Sequence, residues 1–436
     1  MASMQAQRDV VFIFGAGASQ DVGLPTMSGF HGEVEKVAKD PDLPDGVRED
    51  FERVRHWFGN PQAARTEWFD PLNMEHLFCL WQMEKETGSP GASDKLDSLI
   101  SVISCVYERS LVWRNPSAPP SPWVADDTGY VGLLRRLFKR YADHWSDAIS
   151  SSECLPFSFV TTNYDLALED ALLSESHYGP HGPQIRRTYN KHWFDDNLGI
   201  LDLTDEEEGI LNESVSGTGA WLPIGNYGLI GREWNWSRAF PRLLKLHGSI
   251  NWGICPECGN VQVFRYPLPD RRGQSIGPRV LQDLTSTPCG WHPETQHAPS
   301  TPSRAFTYQP LIVPPTWSKS GQCATLRDVW RQAIDELRRA KRVVFVGYSL
   351  PETDVHIRYL LVTALAGNNA MPPTMVVNRT GTDRNGRNER KRIEGHYRAL
   401  GMNFRKKNTY RYENKRFGDA LDDIEDFLDS RANVSK

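Results

Sequence analysis

The chain has 436 residues, 39% of them hydrophobic and 24% charged, with a net charge of −5. This composition supports a sizeable core and excludes bulk disorder, and the charge gives no general case for nucleic-acid or membrane binding. No apolar run approaches the roughly 18–20 residues that cross a bilayer. Seven cysteines, an odd number with four of them widely scattered, indicate a reducing cytoplasm rather than a disulfide framework.

Short apolar runs alternate with helical segments along the chain. Buried parallel strands are predicted at residues 10–14, 157–160, 243–246, 311–313, 343–346 and 374–377. Helices are predicted at residues 73–86, 93–112, 130–145, 325–341 and 419–430. This alternation predicts an α/β fold, a Rossmann-like doubly wound parallel sheet.

The long intervals between strands predict insertions into one catalytic domain at residues 8–380. They are a helical module at 28–150, an aromatic-rich insertion at 171–240 and a cysteine-bearing module at 251–306. A basic segment and a closing helix follow at 381–436. Residues 383–416 hold twelve Lys or Arg against four Asp or Glu. They form either a solvated outer face or a docking surface for nucleic acid or an acidic partner.

The first strand runs directly into a turn of small residues, Gly15, Ala16, Gly17 and Ser19. Small residues let the backbone approach a pyrophosphate, and a helix N-terminus offers free N–H groups. Gln20 stands where a third glycine would complete the dinucleotide-binding pattern. The alternative is a tight turn that binds no ligand.

Three further strands also end in polar residues. Asn163 and Asp165 follow the second strand. Either both contact a ligand, or Asn163 is a turn former and Asp165 is a helix N-cap. His247 ends the third, as a general base or a satisfied structural residue. Gly347 ends another, with Pro351 predicted at the first helical position. Because the carboxyl ends of parallel strands meet at one edge of a sheet, these residues predict a nucleotide cleft.

Cysteines in the 251–306 module have the spacing of a zinc site. Cys255 and Cys258 form a C-x2-C pair, and Cys289 and His292 form a C-x2-H pair about thirty residues later. His297 is an alternative fourth ligand, and a loop of reduced cysteines is the alternative to a metal. The predicted site is structural, in a small zinc-ribbon-like insertion with no open coordination position.

Taken together, these residues resemble the sirtuin superfamily, and most closely its bacterial NAD-hydrolysing members found in anti-phage defence. The resemblance implies a sirtuin-like NAD-binding fold with zinc in the module that follows the His-Gly strand. In it, His247 and Gly248 match the family's catalytic His-Gly pair. The residues that it assigns to NAD binding are Gly15, Ala16, Gly17, Ser19, Pro25, Thr162, Gly347, Ser349 and Asn378.

The chemistry of NAD cleavage suits three of the matched side chains. Nicotinamide leaves as a neutral base, so the reaction needs a rigidly held ribose, a stabilised oxocarbenium ion and a placed nucleophile. Asn163 can fix a ribose hydroxyl and a water, and His247 can take a proton. Asp165 either orients nicotinamide or caps a helix.

Two positions depart from protein-deacylating sirtuins. Residues 26–28 and 314–317 replace the segments that shape the family's peptide channel. The expected activity is therefore hydrolysis of NAD to ADP-ribose and nicotinamide in an abortive-infection effector. A non-catalytic subunit that binds NAD or ADP-ribose is the alternative, and a deacylase is the third. The resemblance implies a homo-oligomer silent until triggered, with a HerA-type ATPase as the leading candidate partner.

Overall fold

The computed structural model describes residues 9–26, 29–58, 70, 72–112, 129–141, 155–169, 171–172, 219–220, 241–259, 261–264, 266–267, 280–286, 289, 307–313, 325–365, 372–401 and 410–430. The strands are β1 Val10–Phe14, β2 Phe157–Thr161, β3 Gly219–Ala220, β4 Leu243–Lys245, β5 Gly248–Ile254, β6 Val261–Val263, β7 Tyr266–Pro267, β8 Gln309–Ile312, β9 Val343–Val346, β10 Thr374–Val377 and β11 Tyr410–Glu413. The helices are α1 Ala16–Ser19, α2 Phe30–Val37, α3 Asp45–Phe58, α4 Met74–Glu86, α5 Ala92–Val112, α6 Gly129–Arg140, α7 Val280–Ser286, α8 Arg327–Arg339, α9 Val355–Leu365, α10 Arg384–Ala399 and α11 Leu421–Asp429.

Six strands form one parallel sheet in the order β11-β10-β9-β1-β2-β4. Numbered along the chain, these six strands run 3-2-1-4-5-6 from one edge, which is the Rossmann order. The order reverses beside β1, because β2 lies on one side of it and β9 on the other. The Rossmann-like doubly wound sheet predicted from the sequence is confirmed.

The central strands are buried on both faces, as their uninterrupted apolar composition predicts. All five residues of β1 are buried, and so are all four of β9 and all four of β10. Aromatic rings extend the core on one face, where the Phe14 ring lies 5.1 Å from that of Tyr130 and 5.8 Å from that of Phe417. The sheet and the helices that cover it share this core.

Helices α2 to α6 occupy the interval predicted to hold a helical module. Asn73 caps α4, since its side chain accepts a hydrogen bond from the backbone N–H of Glu75 at 2.9 Å. Helix α5 packs against α3 and α4. Among the described residues, no helix combines the length and apolar composition needed to span a bilayer.

One strand prediction is wrong in its pairing. The segment predicted as a parallel strand at 311–313 belongs to β8, which pairs antiparallel with β5 in a separate three-stranded sheet, β6-β5-β8. Three apolar residues carry no directional information, so the sequence could not distinguish the two sheets. This small sheet brackets the cysteine-bearing module, since β5 begins just before residue 251 and β8 follows residue 306. Most of the predicted 171–240 insertion lies outside the described residues.

The main sheet continues past residue 380, because β11 pairs with β10 as the sixth strand. The basic segment therefore contains a helix, α10, and an edge strand rather than only a solvated tail. The closing helix α11 lies beside α6, where Arg136 contacts Asp422 and Glu425, and Arg140 contacts Asp429. These partly exposed ion pairs contribute little stability individually.

Candidate functional site

The point where the strand order reverses is built from glycine backbone. The N–H of Gly15 donates to Val346 O at 3.0 Å, and the N–H of Gly17 donates to Gly347 O at 2.9 Å. The N–H of Gly347 donates in turn to Val377 O at 2.8 Å. In open α/β sheets, ligands bind outside the carboxyl ends of the strands at this crossing.

The close approach of the two strand ends requires glycine at these positions. A Cβ atom at Gly15 would lie 2.7 Å from Gly347 O, and one at Gly17 would lie 2.8 Å from Gly347 Cα. Gly347 has φ +62°, and a Cβ there would lie 2.0 Å from the Ala18 nitrogen. The small residues thus let two strand ends meet. Helix α1 has only four residues, so its dipole adds little to anion binding.

A cavity of about 630 Å³ lies at this crossing. Its lining comes from the ends of β1, β9 and β10 and from the segment after β11. The lining residues are Gly17, Gln20, Asp21, Gly23, Leu24, Gly347, Val377, Asn378, Arg379, Lys415, Arg416, Phe417, Gly418 and Asp419.

Three of the nine predicted nucleotide-binding residues line this cavity: Gly17, Gly347 and Asn378. Asn378 is half-buried, and its backbone N–H donates to Glu413 O at 3.1 Å. The six predicted residues that do not line this cavity are Gly15, Ala16, Ser19, Pro25, Thr162 and Ser349.

Asn163 is held by a cluster of hydrogen bonds beneath the glycine turn. Its Nδ2 atom donates to Gly15 O at 3.0 Å and to Ser19 Oγ at 3.1 Å, and lies 3.4 Å from the Tyr130 hydroxyl. Burial raises the pKa of Tyr130 well above its usual value, so this hydroxyl keeps its proton. Ser19 therefore accepts a hydrogen bond from Asn163, whereas the sequence resemblance implied that Ser19 binds the nucleotide.

His247 has a buried carboxylate beside it. Its Nε2 atom lies 3.5 Å from Oδ1 of Asp354, and the two side chains are 3% and 2% exposed. The Tyr348 hydroxyl donates to Oδ2 of the same carboxylate at 2.9 Å. Burial and the nearby Asp354 charge raise the pKa of Tyr348, which keeps the hydroxyl protonated. Tyr348, Asp354 and His247 form one polar chain from β9 to β4.

The loop that carries Asp354 is fixed in a strained backbone conformation. Leu350 has φ +52°, a left-handed conformation that costs a branched residue of order 1–3 kcal/mol. Arg358 stabilises it by donating to Leu350 O at 2.7 Å and to Pro351 O at 3.1 Å. The prediction that Pro351 begins a helix is wrong, since α9 begins at Val355.

Asp165 has the geometry of a cap. Its Oδ1 atom accepts a hydrogen bond from the Ala167 N–H at 3.0 Å, at the start of a helical turn. Its backbone oxygen accepts from Lys245, which also contacts Glu169 at 2.6 Å. Burial raises the pKa of Glu169 against the opposing Lys245 charge. This buried pair joins β4 to the segment that follows Asn163.

The sequence also predicted that Asn163 and His247 line an open cleft, and the structure corrects this. Both follow neighbouring strands, since the Leu246 N–H donates to Thr161 O at 2.9 Å. However, Asn163 is 8% exposed and His247 is 3% exposed, and neither lines the cavity. Their polar atoms are used by Ser19, Tyr130 and Asp354, which the sequence interpretation did not anticipate. Asn163 and His247 are therefore enclosed in this conformation.

Three cysteines converge in the small antiparallel module. The ligand atoms of Cys255, Cys258 and Cys289 lie within 4.8 Å of one another, and the sulfurs of Cys258 and Cys289 are 3.6 Å apart. Thiolates around a tetrahedral zinc at about 2.3 Å lie about 3.8 Å from each other, so this cluster fits zinc. The predicted fourth ligands, His292 and His297, lie outside the described residues.

Sequence reasoning missed Tyr130, Asp354 and the cations at the cavity. Asp354 closes the polar run after β9, and Arg379 directly follows Asn378. Both positions were visible in the chain, but nothing in the local sequence indicates which distant side chain each one meets.

The sequence matches no protein-family profile and no curated protein. Solved structures that resemble it include Sir2Tm bound to a propionylated peptide, at 12% identity and a TM-score of 0.32, covering 96% of this chain and 93% of that chain. Sir2 bound to an acetylated peptide is 12% identical with a TM-score of 0.33, and the match covers 96% of this chain and 93% of that chain. Sir2 in complex with an inhibitor, 2'-O-acetyl-ADP-ribose and a deacetylated peptide is also 12% identical with a TM-score of 0.33. That match covers 97% of this chain and 94% of that chain. Identity and TM-score are both low, so the activity has to be argued from this chain's own residues.

Proposed function

We propose that this chain binds NAD and hydrolyses the bond between nicotinamide and ribose, giving ADP-ribose and nicotinamide. The observation that carries the proposal is the pairing of a cavity at the sheet crossing with Asn163 and His247 on neighbouring strand ends. The cavity accounts for binding of the dinucleotide. The amide and the imidazole account for chemistry at one end of it, because a site that only binds needs neither.

In the proposed reaction, the oxygen of a water molecule attacks the anomeric carbon as the carbon–nitrogen bond breaks. The electron pair of that bond passes to the nicotinamide ring nitrogen, which neutralises the pyridinium. His247 takes the proton released by the water. Asn163 positions the ribose hydroxyl and the water, which lowers the entropic cost of the attack. Asp165 serves mainly to cap the helical turn.

Asp354 supports this role for His247. A buried carboxylate beside an imidazole fixes the ring orientation and stabilises the protonated ring that forms during the reaction. Tyr348 holds one carboxylate oxygen, which leaves the other directed at His247. Asp354 is thus a positioning residue in the proposed mechanism.

The enclosure of Asn163 and His247 supports an enzyme that requires activation. Asn163 and His247 must become accessible before the nicotinamide ribose can reach them. Unregulated NAD hydrolysis would kill its host, so a silent resting state fits an abortive-infection effector. By the sequence resemblance, we propose that self-assembly or a HerA-type ATPase opens the site, and that zinc stabilises the cysteine module without entering the chemistry.

A second candidate is a subunit that senses NAD or ADP-ribose without turnover. The specific observation in its favour is that the cavity is lined by neither catalytic candidate. A protein deacylase is the third, and residues 27–28 and 314–317, which disfavour it in the sequence, lie outside the described residues.

The decisive experiment measures NAD loss and nicotinamide release for the parent protein and for Asn163→Ala and His247→Ala, each with and without a HerA-type ATPase. We expect each variant to lose about 10²–10⁴-fold in rate. Arg392→Ala, an exposed change on α10, is the matched control. Near-parental turnover in both active-site variants would leave the sensor as the better assignment, and removal of acyl groups from lysine peptides would favour the deacylase.

Both variants should be less stable than the parent protein, because the two side chains that they remove are buried. Asn163→Ala removes the hydrogen bonds that the two amide N–H groups donate, and His247→Ala removes the imidazole beside the buried Asp354 carboxylate. We expect each to lower the free energy of unfolding by about 1–3 kcal/mol. Activity is therefore compared at a temperature where both variants remain folded by circular dichroism.

A further inference from the structure

Three cations stand together at one end of the cavity, and the proposed hydrolysis does not use them. We name Arg379, Lys415 and Arg416 the rim cluster. The parallel pairing of β10 and β11 brings them together, because Val377 pairs with Glu413 and the next residues continue side by side. The Thr380 N–H donates to Asn414 Oδ1 at 2.7 Å, which keeps the two strand extensions in contact. All three residues line the cavity.

Two of these cations bind no acceptor in the part of the chain that the structure describes. Lys415 contacts Asp423, but the guanidinium groups of Arg379 and Arg416 are exposed and have no described hydrogen bond or ion pair. Of the two acidic residues on the cavity wall, Asp21 already accepts a hydrogen bond from the Gly418 N–H at 2.6 Å. Asp419 is the other.

The sheet order places the rim cluster at the end far from the proposed chemistry. His247 follows β4, whereas Arg379 follows β10, four strand positions away. Neighbouring strands lie about 4.8 Å apart, so the two ends are separated by about 19 Å. A dinucleotide with its nicotinamide ribose at His247 and its pyrophosphate at the glycine crossing therefore has its adenosine at the rim cluster.

We propose that the rim cluster binds a phosphate group on the adenosine ribose, so that the site prefers the 2'-phosphorylated dinucleotide NADP to NAD. This inference rests on the proposed function and extends its substrate from NAD to the 2'-phosphorylated dinucleotide. The planar guanidinium group matches phosphate oxygens with two parallel hydrogen bonds. In Rossmann-type sites, arginine accommodates the 2'-phosphate and a carboxylate binds the free 2'-hydroxyl. Asp419 is the one residue on this rim that would favour the free hydroxyl.

The test is calorimetric titration of the full chain with ADP-ribose and with 2'-phospho-ADP-ribose, which requires no turnover. We expect the phosphorylated ligand to bind about 10- to 100-fold more tightly. Arg379→Ala and Arg416→Ala should each remove most of that preference while changing the Kd for ADP-ribose less than about threefold. Arg392→Ala is the control, because its ion pair with Glu389 is exposed and the residue does not line the cavity.

Four results would overturn the inference. Equal weakening of both ligands in the arginine variants would assign the cations to the pyrophosphate. A preference for ADP-ribose that Asp419→Asn reverses would assign the rim to the unphosphorylated ribose. Tight binding of ADP-ribose with no preference for the phosphorylated ligand would contradict this inference but not the proposed NAD site. Binding of neither ligand would contradict both.

Discussion

The Nε2 atom of His247 lies 3.5 Å from Oδ1 of Asp354, and both side chains are almost completely buried. One residue follows β4, at the edge of the sheet, and the other stands at the start of α9, so the contact ties the two halves of the sheet together. Tyr348 fixes the carboxylate by donating to its second oxygen at 2.9 Å. The relationship makes Asp354 the most informative residue to change around the proposed base.

The first prediction is that Asp354→Asn lowers kcat for NAD hydrolysis by about 10²-fold with little change in KM. The amide keeps the shape of the side chain but loses the charge that orients and stabilises the imidazole, and misplacement of a catalytic group costs about this much. Steady-state kinetics on the activated protein provide the measurement. Tyr348→Phe is the graded comparison and should lose less. A change in KM alone would assign Asp354 to substrate binding.

The second prediction concerns the glycine crossing. Gly347→Ala places a Cβ atom 2.0 Å from the Ala18 nitrogen in a backbone with φ +62°, and we expect it to lower the free energy of unfolding by about 3 kcal/mol or more. Gly395→Ala is the matched control, because a Cβ there meets no atom within 4 Å in the helix α10. It should raise stability by about 0.5–1 kcal/mol. Denaturant unfolding measures both. Equal stability of the two variants would contradict the close approach of β1 and β9.

The third prediction is that zinc protects the cysteine cluster from alkylation. Metal analysis of protein purified without chelator should give one zinc per chain, and chelation should expose Cys258 to iodoacetamide. Cys105 is the internal control, because burial raises the pKa of its thiol to about 12 and leaves almost no thiolate at pH 8. It should stay unmodified until the protein unfolds. Rapid alkylation of Cys258 before chelation, with no zinc present, would contradict the metal site.

Local sequence was enough to locate the main elements of the fold. Continuous apolar runs predicted β1, β9 and β10 to the residue, because strands buried on both faces have no polar alternation. The edge strand β11 was missed, since its Tyr410–Glu413 sequence alternates polar residues within a basic segment. A strand of that kind is identified only by the neighbour that it pairs with.

The order of residues along the chain is enough to predict which chemical groups stand at the ends of the parallel strands, among them Gly17, Asn163 and His247. Parallel pairing brings all carboxyl ends to one edge of the sheet, so that much follows from the order of residues along the chain. The contact of Asn163 with Tyr130, the contact of His247 with Asp354 and the burial of both residues are visible only in the folded chain. Hydrogen bonds between distant residues depend on how helices and loops pack across the sheet. That packing is set by the whole core rather than by any local pattern.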